Sequence, residues 1–511
     1  MRKLRRVVAA AAIVLMGAVI ALCFWTPSRS DLRSTPGPVA QALVFPKGFL
    51  WGAAISGHQA ESRQDSDWTA FERDAIANQR FASKSEFGTT QPGSIRDFGA
   101  WSEEVRVRKS DFDRRFEGDI EAAAAMGLNS LRVSVEWARL FPRADMQAAD
   151  PAGMKYYSRL FASMKAHGIE PIVTLYHYVS PRWLFERDSG GKRGWERADA
   201  QEHWQRFVTS VAQAFVGDVR YWCTLNEPMV LLYNGYIEGS YPPLEHRADL
   251  PAVADVYEGL LRAHAAAYGI LHEVARQKKA QVQVGLTQAV EYFAPDRNYA
   301  PADRITDWIV DQGWNWDFLD AVQSGRLRIV ASDVDREIPG LRGTMDYVGL
   351  NYYMRILVRG DLFHPDRPLI LMRDENDSRE QESDMGWPIV PRGLYVLLAQ
   401  SWKRYGKPIL ILENGDADAR QNDTQRQEYI KAHVRETWLA MHDAGADVRA
   451  YVVWSLLDNF EWTDGFGPRF GLIAVDYNHD FARTPRDSTR TLAAITTSNS
   501  LPANLNDVAF P

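Results

Sequence analysis

Cysteine is almost missing from this chain of 511 residues. Only Cys23 and Cys223 occur, one inside an apolar run and the other inside a candidate strand. Neither a disulfide framework nor a cysteine-based metal site is expected from such a pair. Positive charge is also short: 59 Lys and Arg stand against 66 Asp and Glu, a net charge of −7. Six of those basic residues and only one acidic residue fall in the first 42 positions. The remainder is therefore more acidic still, which argues against nucleic acid as a partner.

Several chemical signatures are absent as well. No candidate strand is followed by GxGxxG or a phosphate loop, and the chain has no HExxH, GxSxG or CxxC. The eleven histidines show no metal-ligand spacing. No metal and no cofactor are expected.

Long apolar runs are missing, with one exception. Arg2, Lys3, Arg5 and Arg6 precede an uncharged stretch from Val7 to Trp25, 19 residues long and sufficient to span a bilayer as a helix. Residues 1–25 are expected to be a signal anchor with its basic end inside and the body outside the cytoplasm. Cleavage of the segment would instead give a secreted protein. Residues 26–42, TPSRSDLRSTPGPVAQA, read as an extended linker, so the globular part starts near Leu43.

The body repeats one pattern. EGDIEAAAAMG ends at Gly127 before LRVSVEW, YYSRLFASMKAHG at Gly168 before PIVTLYH, and KAHVRETWLAMHDAG at Gly445 before VRAYVVWSLL. Glycine is favoured just past a helix end, so these are helices feeding strands. Adding FLWGAAIS, YWCTLNE, VQVGLT, DYVGLNYY and PILILEN gives eight nearly continuous apolar strands. Eight such strands alternating with helices predict an α/β fold, a single (β/α)8 TIM barrel over residues 43–490 with a tail from 491 to 511. The competing architecture is an open doubly wound sheet.

In a parallel barrel the strand C-termini open on one face, which makes polar strand ends the first candidates for chemistry. Glu227 closes YWCTLNE before Pro228, and Glu413 closes PILILE before Asn414-Gly415. Two carboxylates brought together can cleave a glycosidic bond. One attacks the anomeric carbon and the other protonates the leaving oxygen, with retention when they lie roughly 5 to 5.5 Å apart. A single strand-end glutamate could equally cap a loop or pair with arginine. Trp387, Trp454, Trp462 and Phe470 sit among polar residues, as in WSLLDNFEWTDGF, and would suit the C–H faces of a sugar. His177, ending IVTLYH, is as compatible with a core role as with a ligand contact.

Taken in order, FLWGAAISGHQAE, LRVSVEWARLFP, VTLYHYVSPRWL, YWCTLNEPM, DYVGLNYY, ILENG, WSLLDNFEW, RFGLIAVDY and RTPRDS resemble the motifs of family 1 glycoside hydrolases, the β-glucosidase family, from about Phe45 to Ser488. The resemblance implies Glu227 as acid/base and Glu413 as nucleophile. It implies Asn226 on the sugar 2-hydroxyl, and Arg132 and Tyr353 beside the nucleophile. It further implies Gln59, His177, Asn351, Trp454, Glu461 and Trp462 as sugar-binding residues. A carboxylate at Glu461 suits the hydroxyls of a neutral sugar and would repel a 6-phosphate. The chain departs from the family at His58, where Tyr is usual, at Tyr178, where Trp is usual, and at Leu412, where Thr is common. Glu136 replaces a common Ser, resembles the archaeal-type branch, and is expected to pair with Arg139. The expected function is a retaining β-glycosidase on β-glucosides or β-galactosides. The alternatives are an anchored transglycosidase passing a glycosyl group to a lipid or sugar, and a non-catalytic carbohydrate-binding protein.

Overall fold

The computed structural model describes residues 41–80, 95–361, 369–372 and 380–506. The expected anchor (1–25) and nearly all of the linker lie outside these residues. Among the described residues no helix is long and apolar enough to cross a membrane.

Eight parallel strands close into a barrel: β1 (Leu50–Ile55), β2 (Ser130–Ser134), β3 (Glu170–Thr174), β4 (Tyr221–Asn226), β5 (Gln283–Ala289), β6 (Tyr347–Tyr352), β7 (Ile409–Asn414) and β8 (Val448–Val453). Each pairs with its neighbours in sequence, and β8 returns to β1 through Ala450 opposite Leu50. The strands are buried on both faces, which explains why they read as continuous apolar runs and not as alternation. All eight are the ones legible in the sequence, and the doubly wound alternative is excluded by the closure.

Helices fill the crossovers: α1 (Phe112–Ala125), α2 (Pro151–Ala166), α3 (Ala200–Phe215), α4 (Ala254–Lys278), α5 (Asp317–Ser324), α6 (Pro391–Tyr405) and α7 (Thr424–Asp443), with α8 (Ser488–Ser498) after β8. Asp150 caps α2 by accepting from the Gly153 amide at 2.8 Å, and Pro151 occupies the first turn, where its missing N–H costs nothing. Gly127, Gly168 and Gly445 take φ of +71°, +71° and +68°, so each ends its helix in the left-handed region that the sequence pattern demanded.

Two departures from expectation follow from where the loops go. The expected tail begins inside α8. Past that helix, Ser500–Leu501 pairs antiparallel with Leu43–Val44, and Asn499 accepts from the Trp51 indole at 2.9 Å. This segment is bound because it seals the end of the barrel where the chain enters β1. Beyond the mouth, Tyr292–Pro295 and Arg355–Arg359 run parallel outside β5 and β6, and Leu369–Leu371 adds to them antiparallel, forming a lip. The Arg96 amide donates to the Thr463 carbonyl at 2.7 Å, so the stretch before α1 braces the loop after β8.

Candidate active site

The strand ends bring the two predicted glutamates to one place. At the end of β4 the Asn226 amide donates to the Tyr176 carbonyl and the Glu227 amide to the Thr287 carbonyl, each at 2.8 Å. Glu227 leaves the ladder with φ +44°, a left-handed conformation that turns its side chain over the barrel mouth, and Pro228 starts the short helix that follows. At the end of β7, Asn414 is structural: its Nδ2 donates to the Tyr352 carbonyl and its Oδ1 accepts from Tyr451, both at 2.6 Å. Gly415 is required because a Cβ there would overlap the Trp454 carbonyl oxygen. The two strand ends can thus approach closely enough to set Glu413 beside the Trp454 loop.

Arg132, from β2, is the hub. Its Nη1 lies 2.5 Å from Glu413 Oε1, its Nη2 donates to Asn226 Oδ1 at 2.6 Å, and its Nε donates to Thr174 at 3.0 Å. Tyr353 donates to the other Glu413 oxygen at 2.6 Å. Asn351 accepts from Thr287 at 2.9 Å and donates to Glu227 Oε1 at 2.6 Å. The Asn351 side chain also lowers the proton affinity of Glu413, so a single amide lies within reach of both carboxyls. Tyr178 donates to Glu227 Oε2.

These contacts divide the pair electrically. Burial and, after it, the charge of Glu413 push the Glu227 carboxyl up to about 7. Burial also pushes Glu413 up, but Arg132 and Tyr353 oppose it directly. Among the described residues Glu227 touches no cation, whereas Glu413 has Arg132, a difference that favours the proton on Glu227 and the charge on Glu413.

Beside the pair lies a group of polar and aromatic side chains. Gln59 Nε2 donates to Asn459 at 3.1 Å, to the Phe460 carbonyl at 2.9 Å and to Glu461 at 3.3 Å, while its buried Oε1 has no partner among the described residues. Glu461 is raised by burial, then by Asp464 and Glu413, and is bonded by Trp454. The His177 ring lies nearly parallel to Trp454 and Trp462, at 6.1 and 6.0 Å. Burial and the Arg132 charge keep it neutral. Phe470 is 2% exposed and packs against Tyr353 and Trp387 with ring centroids 6.1 and 5.9 Å apart, so it supports the wall from behind. Among the described residues the buried Asn226 Nδ2 has no hydrogen-bond partner.

Every predicted site residue therefore lies around the mouth of one barrel. One expected pair does not form. Arg139 binds Glu61 at 2.7 Å, and Glu136 instead accepts from Ser134 at 2.6 Å, in space that Gly57 leaves by having no Cβ. Glu61 lies on the short turn after β1 and reaches Arg139 first. His58 donates to the Glu72 carboxylate at 2.9 Å and lies parallel to Trp462 at 6.0 Å, so this departure from the family sits behind the wall. Sequence reasoning missed Tyr241, a loop residue with ring contacts to Trp462 and Tyr178, and it gave Tyr178 no role. Only the position of Tyr178 directly after His177 hinted at one.

Comparison with known proteins agrees with this geometry. The family model described as Glycosyl hydrolase family 1 matches residues 41–501. The chain is 29% identical to beta-glucosidase A of Thermotoga maritima, over 85% of this chain and 94% of that protein. It is also 29% identical to the beta-galactosidase of Sulfolobus acidocaldarius, over 91% and 97%. Its fold matches a beta-glycosidase from Pyrococcus horikoshii with a TM-score of 0.77 and 31% identity, covering 92% of this chain and 99% of that one.

Proposed function

The chain belongs to glycosyl hydrolase family 1, and from that premise we propose that this glycoside hydrolase cleaves neutral β-glycosides of glucoside or galactoside type with retention. The observation that carries the reading is the divided pair: Arg132 and Tyr353 hold both oxygens of Glu413, while Glu227 is bonded by Asn351 and Tyr178.

The reaction follows from the charges. Glu413 attacks the anomeric carbon as Glu227 gives its proton to the departing oxygen, forming a glycosyl ester and breaking the glycosidic bond. Esterification removes the Glu413 charge, so Glu227, now a carboxylate, becomes a base at neutral pH. It takes a proton from water as the water oxygen bonds the same carbon and Glu413 leaves. Asn226 is fixed through Oδ1 by Arg132, leaving its Nδ2 for the sugar 2-hydroxyl. Gln59, His177, Glu461, Trp454 and Trp462 hold the remaining hydroxyls and the apolar sugar face. Glu461 can bond sugar hydroxyls and offers a 6-phosphate no cation.

Proton NMR of the first product formed from an aryl β-glycoside tests the stereochemistry; an α-anomer appearing first sinks the retaining mechanism. Glu227→Ala should lower kcat/KM about 10²- to 10⁴-fold for a poor leaving group. It should do so far less for a dinitrophenyl glycoside, which departs without a proton, and its alkaline limb, near pH 7 in the parent, should vanish. Equal losses for both leaving groups would remove Glu227 from the acid role. The same assay with alcohol or glycolipid acceptors separates hydrolysis from glycosyl transfer.

The apolar run from Val7 to Trp25 supports a separate part of the proposal, that the catalytic body is held outside the cytoplasm. N-terminal sequencing of the native protein checks it, and a mature start near Leu43 would refute the anchor.

A further inference from the structure

The proposed reaction moves a proton through one oxygen of Glu227 and gives no role to the side chain that touches that oxygen. Asn351 donates to Oε1 at 2.6 Å, and an amide N–H cannot accept a proton in return. The exchangeable proton of Glu227 must therefore reside on Oε2, and the group on Oε2 is the Tyr178 hydroxyl.

Tyr178 is not placed there by slack in a loop. It follows the end of β3 with φ +67°, a left-handed conformation that is unfavourable for a non-glycine residue. Its ring is 3% exposed and edge-on to three others: Trp462 at 5.3 Å, Tyr241 at 6.0 Å and His177 at 5.3 Å. The ring cannot swing away without repacking that wall, so the hydroxyl is aimed at Glu227 by its surroundings.

Given that Glu227 is the acid/base of the proposed reaction, we propose that Tyr178 is its positioning residue, gripping Oε2 and turning from acceptor to donor as the Oε2 proton passes to the leaving group. In the acid form the Oε2 proton is shared between the Tyr178 oxygen and the glycosidic oxygen. When the glycosidic bond breaks and that proton leaves, the Tyr178 hydroxyl rotates and donates to the new carboxylate. Tyr178 keeps its own proton throughout, since burial and the adjacent Glu227 hold the phenol well above its usual range. The same bond keeps Oε2 in place for the incoming water.

A bond to the charged form favours it, so Tyr178 makes Glu227 the stronger acid. The other charged or titratable groups facing Glu227 are Glu413, Arg132, Glu461, Glu291, Tyr241 and Tyr353. None of these six makes a hydrogen bond to Glu227 among the described residues, and Tyr178→Phe leaves all of them in place.

Tyr178→Phe should move the alkaline limb of kcat/KM upward by about one pH unit, the size of a lost bond to a charged group. It should lower the plateau about 10-fold for an alkyl β-glycoside and much less for a dinitrophenyl glycoside. A packing role alone would lower both substrates together and leave the limb in place, and either result would overturn the proposal. A readout free of turnover separates this from the reaction itself: difference infrared titration of the Glu227 carboxyl band, identified by its loss in Glu227→Gln. The band should titrate about one pH unit higher in Tyr178→Phe than in the parent, whether or not a given glycoside is hydrolysed. An unmoved band in a Tyr178→Phe protein with parental Tm would overturn the role of Tyr178 even if hydrolysis is as proposed. A moved band in a parent that hydrolyses no glycoside would uphold the bond to Glu227 and sink the reaction instead.

Discussion

Glu413→Gly is expected to reduce kcat on an aryl β-glycoside by at least about 10⁴-fold, because a nucleophile acting with its partners as a unit leaves little behind when removed. The loss should come with a change of stereochemistry when the gap is refilled. Glycine opens space at the end of β7, on the side of the sugar opposite the aglycone. A small anion such as azide can enter there, where Arg132 and Tyr353 now lack their carboxylate. Attack by azide while Glu227 still protonates the leaving oxygen would give an α-glycosyl azide and restore part of the rate. A 2-fluoroglycoside should label the parent at Glu413, visible by peptide mass, and leave the variant unlabelled. Residual activity above about 1% without added azide is incompatible with the 10⁴-fold expectation. The outcome also decides against a non-catalytic carbohydrate-binding protein, which would show neither labelling nor rescue.

Much of this was legible in the sequence, for reasons that can be named. The eight strands could be read because a parallel barrel buries both faces, so its strands are apolar throughout and end sharply at polar residues. Glu227 and Glu413 stood out for the same reason. The helix ends were marked by Gly127, Gly168 and Gly445, whose positive φ is rare for other residues. What the sequence did not reveal was partner choice between loops. Arg139 lies three residues from Glu136 and was expected to pair with it, yet Glu61, 78 residues away in sequence, takes the guanidinium. Such pairings depend on which loops cross the same end of the barrel, and no local pattern encodes that. Tyr178 belongs to this class: its aromatic character was visible, but the left-handed backbone that turns its hydroxyl onto Glu227 was not. The end of the chain was missed likewise, because a two-residue strand pairing Leu43 with Leu501 has no periodicity to detect.

Arg132→Met should have the second largest effect, and on stability as well as rate. Arg132 is 1% exposed and its guanidinium contacts Glu413, Asn226 and Thr174, so methionine would take the cation from Glu413, whose other oxygen keeps Tyr353, and one donor each from Asn226 and Thr174. Breaking a buried ion pair from one side costs about 3 to 5 kcal/mol when the orphaned charge persists. Glu413 can avoid that cost by taking up a proton, since losing Arg132 removes the largest influence holding its proton affinity down. The sign is then fixed. In the proposed reaction only ionised Glu413 attacks, so a higher Glu413 pKa should move the acid limb of kcat/KM upward, toward the alkaline limb assigned to Glu227. The two limbs close on each other, and the pH optimum narrows as its height falls by about 10²-fold or more, the scale of losing one preorganised electrostatic group. The stability lost in the variant should therefore depend on pH: it is least at low pH, where the orphaned Glu413 is neutral, and greatest above the raised pKa. Thermal unfolding of both proteins across pH 4 to 8, roughly the span in which carboxyls with raised pKa values titrate, measures this directly. A constant difference in Tm across that range, or an acid limb that stays in place, would show that Arg132 does not set the charge of Glu413.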